Sequence, residues 1–451
     1  MWVQLTCYPH RKSTDNYTKY ITLTQLCMTV AQSTLLQKNC DVLYVSITII
    51  AVVFLFALLV PSLSDSTLDN HKVTDVYAQP YLELVKNRNL TIELGNGLKT
   101  NATLTYPAVG KGPFPGVLLI AGAGAGRSFP PELVLYLAER GIAVLQYEKR
   151  GTIGETIIDT NIWGNATVND LIHDAEKALN VLNQQPEVDP KKVSILGASE
   201  GTIITPRVAI DNPTNVKNII LMGTVAQNFE KLLYYQAVGL PLQYATQVLD
   251  KNHTGFVSIQ QMAKVPLPFK YIIPIHAAVT NDTKVILPAT TKEFGTSGSV
   301  SINKQLKPLL MKSLENLTAL NLSKCNYTAL CPVLIKSHQT LIPNLSIIGN
   351  VSNSTGILLL NGENDTQVPV QQAFLLQQRL TEVNHPDHTL ITYPNLGHSF
   401  HPSSQWFTQF GPIPEYVFAD IYSWLEARSS FTDAGTNSTT SSLPPAFPKD
   451  Q

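Results

Sequence analysis

The stretch Val193–Gly201, VSILGASEG, constrains the fold more than any other part of the chain. A short apolar run passes straight into a helical pattern through a turn with glycine on both flanks, leaving no room for a loop. The same alternation recurs on either side. Apolar runs that read as strands lie at Gly116–Ile120, Ile142–Tyr147, Lys192–Leu196 and Asn218–Met222. Helical patterns lie at Pro131–Arg140 (stopped by Gly141), at Asn169–Gln184 with Asp170 in the first turn, and from Glu200 onward. Gly116–Ile120, GVLLI, is apolar throughout, as expected of a strand covered on both faces. Strand, helix and strand at this spacing imply right-handed crossovers, hence a mostly parallel, doubly wound α/β sheet. Two further strands, Asn89–Leu94 and Ala102–Tyr106, flank a turn at Gly95-Asn96-Gly97.

The alternation lapses from about Gln227 to Asn353, where eight Asn-x-Ser/Thr sequons and many prolines fall. It resumes with strand Gly356–Leu360, helix Val370–Glu382, strand His388–Tyr393 and helix Pro414–Arg428. An insertion between two sheet strands, lying over their carboxyl ends, accounts for the gap. The expected organisation is a core in two parts, 76–227 and 353–430, with a cap insertion at 228–352. A Ser/Thr/Pro-rich tail at 431–451 cannot bury a core.

Val42–Val60 contains no charged residue over 19 positions, about 28 Å of helix, which matches the hydrocarbon thickness of a bilayer. Signal-peptide cores are shorter, so a retained transmembrane anchor is expected, although Ser62 and Ser64 also have the spacing of a cleavage site. Arg11, Lys12, Lys19 and Lys38 precede the segment, and Asp65, Asp69 and Asp75 follow it. This places the 1–41 tail in the cytoplasm and the body outside, joined by a 61–75 linker. Met28 as the true start would not alter that. Thirteen of fourteen sequons lie beyond the anchor, as in a glycosylated outer domain. Asn16 is the one that precedes the anchor; among the outer thirteen, Asn364 touches the proposed site and is expected to remain bare. Of five cysteines only Cys325 and Cys331 lie close together in the body, where they either close a loop in an oxidising compartment or remain thiols. A net charge of −1 provides no basic field for nucleic acid, and 14% charged residues is low for a soluble domain (~25%), which argues for a well-buried core.

The turn Gly197-Ala198-Ser199-Glu200-Gly201 is a G-x-S-x-G match in the strand-to-helix setting that lifts a serine above a sheet. A nucleophilic serine requires a base and an orienting acid, here expected in the order Ser, Asp/Glu, His. Two later loops leave strands at their carboxyl ends. Asn361-Gly362-Glu363-Asn364-Asp365 offers Asp365, with Glu363 as substitute. Leu396-Gly397-His398-Ser399-Phe400 offers His398, with His401 as a distant rival. The remaining histidines read as ordinary polar residues. Ala121-Gly122-Ala123-Gly124-Ala125-Gly126 follows the first apolar strand, so the backbone N–H groups of Ala123 and Glu200 are the expected oxyanion donors. A phosphate-binding reading of that glycine run lacks its acidic partner downstream. Asp250-Lys251-Asn252-His253-Thr254-Gly255, with Ser258 and Gln261, follows a calcium loop weakly; a helix-ending turn is the simpler reading. Arg150 in the turn YEKRG is expected to pair with an acid and hold that loop.

With these motifs on the page the chain resembles α/β-hydrolases of the dienelactone hydrolase and FrsA-like esterase type, relatives of the prolyl-oligopeptidase catalytic domain. The resemblance covers about 76–227 and 353–430. It rests on GVLLIAGAG, LAERGIAVLQYEKRG, VSILGASEG, LLLNGENDTQVPV and YPNLGHSF. Such relatives usually carry His-Gly after the first strand and Gly-His-Ser-Glu-Gly-Gly at the elbow. Ala121, Ala198 and Thr202 stand there in this chain, which puts substrate preference in question more than catalysis. The resemblance implies a serine hydrolase without a cofactor or metal, acting on a small ester or short peptide. The combined expectation is a membrane-anchored, extracytoplasmic carboxylesterase using Ser199, His398 and Asp365. The alternatives are a prolyl-oligopeptidase-like peptidase and a non-catalytic surface glycoprotein on the same fold.

Overall fold

The computed structural model describes residues 84–126, 129–154, 156–258, 261–262, 298–319, 331–404, 406 and 411–429. The expected tail, anchor and linker (1–75), the 431–451 tail and Cys325 lie outside the described residues. Among the described residues no helix is long and apolar enough to cross a membrane.

Eight strands form the central sheet: β1 (Val85–Gly95), β2 (Leu98–Pro107), β3 (Phe114–Ile120), β4 (Ala143–Tyr147), β5 (Val188–Ala198), β6 (Asn218–Met222), β7 (Gly356–Gly362) and β8 (His388–Tyr393). Their spatial order is β1-β2-β4-β3-β5-β6-β7-β8. β2 runs antiparallel to both its neighbours, and every other pair is parallel. Gly95-Asn96-Gly97 turns β1 into β2 with all three residues at positive φ. The crossovers carry helices α1 (Pro131–Glu139), α2 (Val168–Asn183), α3 (Gly201–Asp211) and α4 (Gln371–Glu382), and α5 (Glu415–Ser429) follows β8.

Alternate residues of each parallel strand feed two separate cores. Leu118 and Ile120 of β3 pack with Ala175 and Leu179 of α2 and Val208 of α3. Val117 and Leu119, one residue out of step, pack with Leu133 and Leu137 of α1 and Ile421 of α5. This period-two division explains why GVLLI has no polar position. α2 begins with a reciprocal cap: Thr167 accepts from the Asp170 N–H at 3.1 Å, and Asp170 accepts from the Thr167 N–H at 2.9 Å. Arg150 pairs with Asp170 and Asp174 at 2.9 and 2.7 Å, which ties the loop after β4 to α2.

Between β6 and β7 the chain leaves the sheet. Short helices at Phe229–Tyr234, Leu240–Tyr244, Lys307–Ala319 and Pro332–Gln339 appear where the sequence pattern reads as irregular. A two-stranded antiparallel pair, Phe256–Ser258 with Ser299–Ser301, accompanies them. π-helical turns at Tyr235–Gly239, Ala245–Leu249 and Ile302–Leu306 interrupt the 3.6-residue period, which conceals these helices from a pattern search. A third apolar cluster is built around Val238, Tyr244, Val257, Val300 and Leu306 of this segment. Tyr244 meets Trp406, from the loop after β8, edge to face at 5.4 Å. Cys331 is disulfide-bonded. Asp250 ends the Ala245–Leu249 turn and spends both carboxylate oxygens on Thr254 and Gly255. The stretch is thus a helix-ending turn held together by its own Asp250 carboxylate.

Candidate active site

In the order β4-β3-β5, successive crossovers depart in opposite directions, which opens a crevice beyond the carboxyl ends of β3 and β5. Ser199 stands at the end of β5 with φ +52°, a left-handed conformation that non-glycine residues adopt rarely. The turn is over-determined. The Ser199 N–H donates to the Met222 carbonyl at 2.8 Å, and the Ser199 carbonyl accepts from the Thr202 N–H and hydroxyl at 2.9 and 2.6 Å. Any Cβ on Gly197 would collide with Thr205 and the Gly201 carbonyl, and one on Gly201 with the Ile120 carbonyl. Both glycines are thus required by close backbone approach, not by chain flexibility. Thr202, which stands where relatives carry glycine, braces the elbow and also accepts from the Val225 N–H. α3 contains Pro206, whose missing N–H frees the Thr202 carbonyl; Asn344 supplies the lost donor at 2.9 Å.

Asp365 and His398 arrive from the loops after β7 and β8. Gly362 lets these loops touch, because a Cβ there would strike the carbonyls of Leu396 and Gly397. Asp365 is buried. Its Oδ1 accepts from the Gln367 and Val368 N–H groups at 2.8 Å each, and its Oδ2 lies 2.7 Å from His398 Nδ1. A carboxylate can only accept, so Nδ1 carries the proton and the neutral ring keeps its lone pair on Nε2. Gly223, at φ +66°, packs beneath the imidazole, and a Cβ there would sit 3.1 Å from His398 Cε1. Glu363 is exposed and accepts from Thr392, and His401, although it lines the same cavity as His398, has its Nδ1 on the Gly411 carbonyl rather than on a carboxylate. Neither rival is placed to serve.

Ser199 and His398 line one cavity of about 780 Å³, together with Ala123 and Glu200, the expected oxyanion donors. Its walls are largely apolar, with Phe129, Leu133, Ile203, Leu232 and Ile413 among them. Ala198, one of the departures from relatives, is part of the lining. Tyr235 is driven up to about 12 by burial and by the nearby Asp365 charge.

Sequence reasoning missed a buried charge network beside the nucleophile. The Glu200 side chain accepts from Lys149 Nζ at 2.7 Å and lies 2.9 Å from His338 Nε2. Burial alone would raise the Glu200 carboxyl, but Lys149 and His338 outweigh it and hold the group at about 2. His338, stacked on Phe229 at 4.8 Å, is therefore not an ordinary polar histidine but part of the cavity wall. Lys149 lies two residues past the end of β4, next to the ends of β3 and β5, so topology brings it to Glu200. No local signal marks His338, which comes from 138 residues further along.

Three family models match. Esterase FrsA-like covers residues 68–236, BAAT / Acyl-CoA thioester hydrolase C terminal covers 175–309, and the Prolyl oligopeptidase family covers 333–429. The chain has the α/β-hydrolase fold. Among curated relatives this hydrolase is 28% identical to Esterase EstD of Thermotoga maritima over 190 residues, 39% of this chain and 42% of EstD. It is 25% identical to Esterase FrsA of Yersinia pestis over 142 residues, 31% of this chain and 32% of FrsA. It thus spans less than half the length of either esterase. A similar solved structure is Est1E from Butyrivibrio proteoclasticus, with a TM-score of 0.41 at 13% identity over 76% of this chain and 99% of Est1E. Another is the acylaminoacyl peptidase of Pyrococcus horikoshii, with a TM-score of 0.46 at 13% identity over 82% of this chain and 46% of that one.

Proposed function

We propose that this α/β-hydrolase is a membrane-anchored, extracytoplasmic esterase that cleaves carboxylic esters through an acyl-enzyme. The observation that carries the reading is a serine in a left-handed elbow facing the same cavity as a histidine whose Nδ1 is held by a buried aspartate. Ser199 Oγ attacks the acyl carbonyl while His398 Nε2 takes its proton. Asp365 fixes the tautomer and stabilises the imidazolium that forms. The N–H groups of Ala123 and Glu200 receive the oxyanion. His398 then protonates the leaving alkoxide, and water activated by the same Nε2 releases the acid. The apolar walls suit an apolar acyl group. No step calls on a metal or organic cofactor.

Residues 42–60 are assigned as the anchor, 76–227 and 353–430 as the hydrolase core, and 228–352 as the cap that shapes the cavity. Exposed sequons at Asn89, Asn101, Asn165, Asn252, Asn350 and Asn353, with the disulfide at Cys331, support an oxidising, glycosylating compartment.

A panel of p-nitrophenyl esters set beside aminoacyl p-nitroanilides tests the reading. Ester turnover that is lost in Ser199→Ala and far exceeds anilide turnover is expected. Anilide turnover equal to or above that of esters would favour the peptidase alternative, which the family match over 333–429 also keeps in view.

A further inference from the structure

We propose that Lys149 is a positioning residue for the oxyanion pocket, holding the peptide that presents the Ala123 N–H and the turn that presents the Glu200 N–H in one buried clamp. The inference rests on the esterase reading above. Lys149 is 4% exposed and Glu200 5%. The ammonium donates to two acceptors at once, the Gly122 carbonyl and Glu200 Oε2. Gly122 is the residue against which the nucleophile packs: a Cβ there would lie 3.2 Å from Ser199 Cβ.

The geometry follows from the peptide bond. In a trans peptide the carbonyl and the following N–H lie in one plane and point in opposite directions. Fixing the Gly122 carbonyl on Lys149 therefore directs the Ala123 N–H away from Lys149, and Gly122 and Ala123 line the cavity with Ser199. A cation on the carbonyl also polarises the unit and makes its N–H a stronger donor. The second arm reaches Glu200, whose own N–H is the other expected donor. One ammonium thus ties the loop after β3 to the elbow after β5. Glu200 balances its charge, so Lys149 acts through the orientation of the peptide, not as a net positive field. His338, on the other carboxylate oxygen, anchors the clamp to the helix Pro332–Gln339.

The test uses the full-length protein, its Lys149→Met and Lys149→Arg variants, and the Lys149→Met/Glu200→Gln double variant, which removes both charges of the buried pair together. Each is checked for a cooperative thermal melt. Steady-state kcat and KM are then measured on a p-nitrophenyl ester, along with inhibition by a trifluoromethyl ketone, whose serine adduct carries an oxyanion. In the folded methionine variants kcat should fall about 10²-fold while KM moves less than about threefold. Ketone affinity should fall by the same factor as kcat, and Lys149→Arg should recover part of both. A folded double variant that keeps kcat and ketone affinity within about threefold of wild type overturns the inference, as does a loss confined to KM. Absence of Ser199-dependent turnover in the wild type would instead remove the esterase reading, and this inference with it.

Discussion

Glu200→Gln removes one charge from the buried network, and its cost can be worked in two ways. In the unfolded chain the carboxyl titrates near 4.5; in the fold, Lys149 and His338 hold it at about 2 despite burial. The unfolded state therefore takes up its proton first as pH falls. The stabilisation is fully present above about 4.5 and is lost as pH drops toward 2. The gap between the two values corresponds to about 3 kcal/mol. Independently, removing one partner of a buried ion pair leaves the other uncompensated and typically costs about 3–5 kcal/mol. Both routes meet near 3 kcal/mol at neutral pH. Urea denaturation followed by tryptophan fluorescence should show the variant's midpoint lower by about 1 M at pH 7, for a slope near 3 kcal/mol/M. At pH 3 the wild type has already lost about 2 kcal/mol of this contribution, while the glutamine cannot titrate. The two curves should therefore approach to within about 1 kcal/mol. A variant within 1 kcal/mol of wild type at pH 7, or a gap that persists undiminished at pH 3, would refute the reasoning.

Gly223→Ala combines a left-handed φ of +66° with a Cβ 3.1 Å from the His398 ring, so the imidazole must move. A displacement of this kind should lower kcat about ten- to 100-fold with little change in KM, a split read directly from steady-state kinetics. Glycan occupancy, mapped by mass spectrometry after enzymatic deglycosylation in heavy-oxygen water, should include Asn89, Asn101, Asn165, Asn252, Asn350 and Asn353, exposed sequons among the described residues. Asn344 and Asn364 should stay bare, because Asn344 is buried against the Thr202 and Val225 carbonyls and Asn364 donates to the Ser403 carbonyl at 2.7 Å. A glycan on Asn344 would contradict the fold there.

The core strands were legible because burial on both faces leaves an unmistakable pattern. Asn218–Met222 has in the structure the bounds that its apolar run implies, and the half-buried edge strand His388–Tyr393 also keeps its expected bounds. β5 proved longer than its apolar run, since Val188 already pairs with Phe114 across a register shift before Gly116 and Val193. The segment between β6 and β7 resisted reading for a physical reason: its helices are short, proline-started or π-turned, and bury their apolar residues against each other in no single period. At the site, Ser199, Asp365 and His398 stand at strand ends, where turn chemistry betrays them. The role of the Glu200 side chain did not show locally, because its partners Lys149 and His338 meet it only through tertiary structure. Thr202 misled in the opposite sense. A departure from the glycine of relatives puts substrate preference in question, but the residue braces the turn beneath the nucleophile and is not among those lining the cavity.

The central claim is that Ser199 is an activated nucleophile. A tagged fluorophosphonate applied to the folded, full-length protein, followed by peptide mapping, tests it most directly. The account predicts a single covalent adduct on Ser199, absent from Ser199→Ala and strongly slowed in His398→Ala. A folded wild-type protein that remains unlabelled, or one labelled equally well with Ser199 replaced, would contradict it.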